Sequence, residues 1–378
     1  MADLVFWLCL LLPAYAYLGY PLTLALLAVF TRVKPLLPSE PLSVSVVIAA
    51  HNEAAHIEQK LRALLTQDYQ ATRLQIIVAS DGSSDDTVSR ARALEDSSIQ
   101  VLDLPRGGKA AALNAAVALA DGDVLVFTDA DNQWNERTLG RLLAPFADPD
   151  VGCVGGHMVI PDPGHALSLG DSLYRHYEAW LRRAENRTGC MVSTDGALLA
   201  LRRELFQTVP AQVNDDFFLS TCAPVAGKRI VYADDAVVLD QGVDEIGKQF
   251  RRRLRVTVGG LQSLACRRTL MNPLRHGFYA VALVSHKLIR RLAPVLLVPL
   301  LLSSVWLHDT GPFYRLFVIA QLAGYAVGLL GLLDTRGILP KPFRLAAFLL
   351  VTLAGMCGGL WQFLRGHSYQ QWNPQQNR

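Results

Sequence analysis

Residues 4–30 run for 27 positions without a charged side chain. At 1.5 Å per residue, a helix of that length outreaches the roughly 30 Å hydrocarbon core of a bilayer. A cleaved signal peptide would bring a basic leader and an apolar core of about 7–15 residues. Neither is present, so the run reads as a membrane span. Three further apolar segments, 292–307, 316–333 and 345–364, lie towards the other end of the chain. The first contains Pro294 and Pro299, which predicts a tilted, broken or partly interfacial helix.

Between the first and second apolar runs lie about 260 residues of ordinary globular composition, enough for one sizeable domain. Only 1–3 precede the first run, whereas Arg32 and Lys34 follow it, and this basic bias predicts a cytoplasmic domain at an inner or plasma membrane. Arg336, Lys341 and Arg344 in the loop between the last two runs fit the same side. Four full spans would put the C-terminal tail outside, and one interfacial segment would put it inside. The six cysteines are scattered without a CxxC pair or a zinc-like His spacing, which argues against a zinc site or a disulfide framework. The sequon at Asn186 lies in the domain placed in the cytoplasm and reads as chance.

Inside that domain strand-like and helix-like stretches alternate. VSVVIAA (44–50) precedes HNE and a helical pattern over 54–65; LQIIVA (74–79) precedes DGSSDD and a second helix. The stretch 99–104 precedes RGGK and an Ala-rich helix to Ala120, and VLVFT (124–128) precedes DAD. Strands spaced by helices predict an α/β fold with a parallel, doubly wound sheet. Ligands of such sheets bind outside the carboxyl ends of the strands, where each polar cluster falls.

The clusters suggest chemistry. Asp81 can accept from a ribose or a base edge. Lys109, after two glycines at a helix start, suits a phosphate. Asp129 and Asp131 flank Ala130, and alternate residues of an extended chain face one way, so two carboxylates can meet a diphosphate through one divalent ion. Hard oxygen ligands select Mg²⁺ or Mn²⁺. Taken singly, each has a plainer explanation: DAD as a turn, DGSSDDT as a helix cap with an acidic first turn, GGK as a loop with a solvated lysine. Three such clusters after successive strands of one sheet weigh together.

The ordered motifs AAHNE, ASDGSSDDT, GGKAAALN and FTDADN resemble the catalytic domain of membrane-bound inverting glycosyltransferases of family 2, the group of cellulose, chitin and hyaluronan synthases. The resemblance continues through TDGALLALRRELF, NDDFFL, QFRRRLRVTVGG and SHKLIRRLAP, from about residue 43 to 294. It implies a nucleotide-sugar-binding, GT-A-like α/β domain inserted between transmembrane helices, a donor that is usually UDP-linked, and a divalent cation between diphosphate and DxD. It places Asn52, Glu53 and Asp81 at the nucleotide, Lys109 by the diphosphate, and Asp129 with Asp131 on donor and metal. Asp195 and Gly196 fall on the acceptor-side segment, and Asp216 on the catalytic base. By residue type alone, Asp215 and Asp216 also suit the N-terminal cap of a helix.

The sequence departs from the family at two points. Alanine stands where proline often precedes Asn-Glu. In the acceptor-channel signature QxxRW, Gln249 and Arg252 match but Arg253 replaces the tryptophan, which predicts one or few additions per encounter and an anionic acceptor rather than a long polymer. Residues 248–291 hold 11 of the 36 Lys and Arg residues and no Asp or Glu. This block suits a diphosphate, anionic lipid headgroups or a solvated face; the resemblance places Arg251 to Arg255 near the active site, and Lys287, Arg290 and Arg291, just before the second apolar run, suit an interfacial anchor. It matches no RNA-binding module, so nucleic acid is not an expected partner.

The expected layout is a span at 4–30, a transferase domain at 43–275, a basic interfacial segment at 276–291, a membrane region at 292–364 and a polar tail at 365–378. The expected activity is transfer from a nucleotide-sugar to a lipid-linked or growing saccharide acceptor, among membrane lipids. A processive, polymer-exporting synthase is the alternative within enzymes, and a non-catalytic scaffold or transport subunit the alternative outside them.

Overall fold

The computed structural model describes residues 1–31, 41–69, 71–159, 168–240, 246–334 and 338–369. Arg32, Lys34, Arg336 and most of the expected tail (370–378) lie outside the described residues. Among the described residues, eight strands form one sheet: β1 (Ser43–Ala50), β2 (Arg73–Asp81), β3 (Ile99–Leu104), β4 (Val124–Asp129), β5 (Gln133–Trp134), β6 (Val151–Val159), β7 (Leu198–Arg202) and β8 (Arg229–Leu239). Their order is β3-β2-β1-β4-β7-β6-β8-β5.

β1, β2 and β4 are nearly continuous apolar runs because both faces are covered, as in buried parallel strands. Val44, Val46 and Ile48 enter one core layer with Ile57, Leu61 and Leu142. Val47 and Ala49 enter the opposite layer with Leu113, Ala116 and Phe218. The expected parallel arrangement holds for β3-β2-β1-β4. Beyond β4 the sheet is mixed: β7 runs antiparallel to both β4 and β6, while β6 and β8 are parallel. LLALR in β7 has the composition of a buried strand but carries no mark of its direction, which the long excursion through the helix Ser168–Arg187 decides.

Among the described residues, four helical runs are long and apolar enough to cross a membrane: Ala2–Phe30, Pro273–Trp306, Pro312–Leu333 and Lys341–Leu364. The second begins about 19 residues before the expected start at 292. It bends at Gly277, whose φ of 53° lies in the left-handed region, and passes through a π-helical stretch over Val284–Ile289. Polar residues extend it because they find charged partners inside the protein: His286 pairs with Glu185 (2.7 Å) and Glu178 (3.2 Å), and Arg290 donates through NH2 to Glu178 (2.5 Å). Arg290, expected as part of an interfacial anchor, is thus turned inward, only 5% exposed. The first run docks on the same network through Tyr20, whose hydroxyl donates to Glu185 (2.8 Å). The helix Ile246–Cys266 packs along Lys341–Leu364 at Gly355 and Gly359, where a side chain would collide with Arg253 and Thr257.

Candidate active site

The register of the parallel strands sets the first half of the site. Ala49 pairs with Asp129 and Ala50 with Ser80, so the residues after β1, β2 and β4 emerge at one sheet edge. Asn52 sits there with φ of 56°, a conformation Asn tolerates better than most residues. Its Oδ1 accepts the Ser84 N–H (2.8 Å), tying the two loops together. Glu53 is buried and precedes the turn into the helix Ile57–Leu65, its N–H donating to Thr87 (2.8 Å). Asp81 is buried as well and accepts from Arg106 (2.7 Å) and from the amides of Gly107 (2.6 Å) and Gly108 (2.9 Å). The Gly108 φ of 90°, which glycine adopts readily, turns the chain from that loop into the helix that starts at Lys109. Asp81 therefore shapes the loop that delivers Lys109.

Lys109 bridges Asp129 (2.9 Å) and Asp215 (2.9 Å). Burial opposes its charge, but the two carboxylates outweigh burial and hold its pKa above the ordinary lysine value. Burial pushes Asp129 up, against the pull of Lys109, with Asp131 adding like-charge repulsion. Asp129 and Asp131 flank the buried Ala130. Beneath them Lys60, which the sequence did not single out, donates to Thr128 (2.9 Å) and to the Asn132 side chain and lies 4.6 Å over the Trp134 ring. Burial drives its pKa well below the ordinary value, while Asp129 and Asp131 pull it up. It is a buried amine under the DxD loop, hidden in sequence on an ordinary amphipathic helix.

Among the described residues no cluster of three or more His, Cys, Asp or Glu can hold a metal. Asp129 and Asp131 fit an ion that takes its remaining oxygens from a ligand diphosphate and water, as Mg²⁺ and Mn²⁺ commonly do.

The second half is a cavity of about 290 Å³ lined by Asp195, Asn214, Asp216, Gln249, Arg252 and Arg253, together with residues of Ser168–Arg187 and Pro273–Trp306. Asp216 is the neighbour of Asp215 at the start of the helix Asp215–Ser220. Burial raises its pKa to about 6, Asp215 adds repulsion, and the Phe217 N–H works against both. Asp215 goes the other way, because Lys109 overcomes its burial. Gly196 lies against Asp216, where a Cβ would stand 3.3 Å from that of Asp216. Asp195 is clamped in a bidentate pair by Arg182, which overcomes burial and lowers its pKa. Arg253 stacks on Tyr174 (4.6 Å) inside the cavity. The cavity brings together all the expected acceptor-side residues except Gly196, which borders it through Asp216, and Asp215 separates them from the edge cluster. Glu178, Arg182 and Glu185 were not anticipated, although their spacing of four and three residues marks one helical face.

Residues 45–209 match the family described as Glycosyl transferase family 2. The chain carries a glycosyltransferase family 2 domain. It is 27% identical over 237 residues to an N-acetylglucosaminyltransferase of Rhizobium meliloti, covering 56% of this chain and 54% of that protein. It is 24% identical over 274 residues to a beta-monoglucosyldiacylglycerol synthase of Synechocystis, covering 70% and 57%. The chain spans about half the length of the first curated relatives it matches. Among solved structures, the mannosyltransferase PcManGT from Pyrobaculum calidifontis, in complex with GDP-Man and Mn²⁺, superposes with a TM-score of 0.74, at 23% identity over 97% of this chain and 100% of that one. The family 2 domain here thus has the mixed α/β GT-A fold, flanked by helices of membrane-spanning length.

Proposed function

We propose that this protein is a metal-dependent, inverting glycosyltransferase that moves a sugar from a nucleotide-sugar, UDP-linked in the expected case, to a lipid-linked or saccharide acceptor at an inner membrane, with its family 2 domain on the cytoplasmic face. The division of the acidic pair carries this reading: Asp215 joins Lys109 and Asp129 at the sheet edge, while Asp216 faces the cavity.

In this reading Asn52, Glu53 and the loop shaped by Asp81 hold the nucleotide. Asp129 and Asp131 would hold Mg²⁺ or Mn²⁺, which would offset charge on the departing group. Lys109 adds a fixed positive charge there, and Arg252 stands on the acceptor side. The acceptor hydroxyl, lodged by Asp195, Gly196 and Gln249, attacks the anomeric carbon. As its C–O bond forms and the bond to the diphosphate breaks, the proton passes to a carboxylate oxygen of Asp216. A carboxylate with a pKa near 6 is a stronger base than an ordinary aspartate and remains mostly ionised at neutral pH. Arg253 supports few additions per encounter, because its guanidinium already covers Tyr174 and offers charge instead of a flat apolar face to a sugar ring.

The test is a panel of nucleotide-sugars, UDP- and GDP-linked, offered with Mn²⁺ to the detergent-solubilised full chain, with nucleotide release and sugar transfer followed. One donor is expected to be consumed only in the presence of metal. No metal-dependent consumption of any donor would leave the scaffold alternative standing.

A further inference from the structure

The cavity beside Asp216 carries more positive charge than a neutral acceptor needs. Among the described residues, seven Arg and Lys side chains and three carboxylates line it. Arg182 and Arg290 are committed to Asp195 and Glu178. Lys287 and Arg291 reach no carboxylate among the described residues; Arg291 donates to the Lys287 carbonyl (2.8 Å) and lies on Gly260. Around them are buried polar groups with no hydrogen-bond partner: Arg182 Nε, Arg290 NH1, Gln249 Nε2 and the hydroxyls of Thr194 and Tyr232. Every one belongs to a residue that lines this cavity and is less than a tenth exposed. All five can donate, and buried donors are costly to leave unmet. A set of donors and cations without acceptors is the complement of an oxyanion.

The cavity also borders a lipid-like space. An apolar groove of about 580 Å³ lies between Ala2–Phe30 and the three C-terminal helical runs, lined by Leu10, Leu18, Leu297, Phe317 and Leu349 among others. Tyr17 lines both the groove and the polar cavity. The donor's own diphosphate does not account for this arrangement, since Lys109, Asp129 and Asp131 lie outside the cavity lining.

We propose that the acceptor is a phosphate-bearing lipid, its phosphate held by Lys287, Arg291 and the unmet donors, its hydrocarbon chain in the apolar groove, and its reacting hydroxyl presented to Asp216. This inference rests on the transferase reading and names the acceptor's chemical class.

The experiment measures binding without a donor. Full-length protein is titrated with farnesyl phosphate, farnesol and inorganic phosphate, in parallel with metal-dependent donor consumption. Farnesyl phosphate is expected to bind at least about tenfold more tightly than either of the others, as charge-assisted hydrogen bonds added to apolar burial predict. Lys287→Met is expected to lose roughly tenfold of that affinity, and Lys287→Arg to keep most of it. Arg291→Gln gives an independent loss should Lys287→Met fail to fold. Equal affinity for farnesol would overturn the anion subsite, and equal affinity for inorganic phosphate would overturn the lipid. Displacement of farnesyl phosphate by UDP alone would assign the cavity to the donor. If wild-type protein binds farnesyl phosphate as expected yet consumes no donor, the transferase reading fails while the subsite stands.

Discussion

The sheet-edge cluster and the cationic cavity lie either side of one acidic pair, yet they are built in opposite ways. At the edge, Asp81 and Asp129 end strands and Asn52 and Lys109 follow them, and the parallel register gathers them. The cavity takes residues from Ser168–Arg187, Ile246–Cys266, Pro273–Trp306 and Lys341–Leu364, which meet only by helix packing. The first region is a rigid consequence of one sheet. The second depends on how candidate membrane helices seat on the domain, and so is where members of one family can change acceptor without disturbing the donor side.

The largest expected effect tests whether the two regions separate at the acidic pair. Asp216→Asn should lower transfer by about 10² to 10⁴, the usual contribution of a general base, while donor binding at the other side persists. Asn carries no buried charge, so the variant's Tm at pH 7 should not fall. Parallel loss of donor binding in a calorimetric titration would join the two regions again.

A smaller effect belongs to the edge alone. Asp131→Asn should weaken metal-dependent nucleotide binding by roughly ten- to a hundredfold, the size of a lost charged contact, and leave lipid binding in the cavity unchanged. Nucleotide affinity that keeps its full metal dependence would move the ion elsewhere.

The smallest effect is a matter of pH. Asp216 must be ionised to accept a proton, and burial places its pKa at about 6. Transfer should therefore be fully present well above that value, half lost near it, and progressively lost below, whereas an unperturbed aspartate would keep its activity down to about pH 4. A flat profile between pH 5 and 7 under saturating donor would show that another group takes the proton.

The sequence alone determined the apolar runs and the alternation of strand and helix, because both are periodicities of neighbouring residues. It also determined the edge cluster, because residues that follow parallel strands of matched register must emerge together. It brought out Asp215 and Asp216 as a pair but could not say that one faces Lys109 and the other the cavity, since adjacent positions at a helix start point about 100° apart only once the helix is placed. The direction of β7, the burial of Lys60 beneath Asp129 and Asp131, and the Glu178–His286–Glu185 network were decided by the tertiary structure. Each depends on a contact between segments far apart in the chain: Lys60 meets Asn132 across 72 residues and His286 meets Glu185 across 101. Such pairings leave no local pattern, because a buried charge is stabilised by its partner's position, and that position exists only in the folded chain.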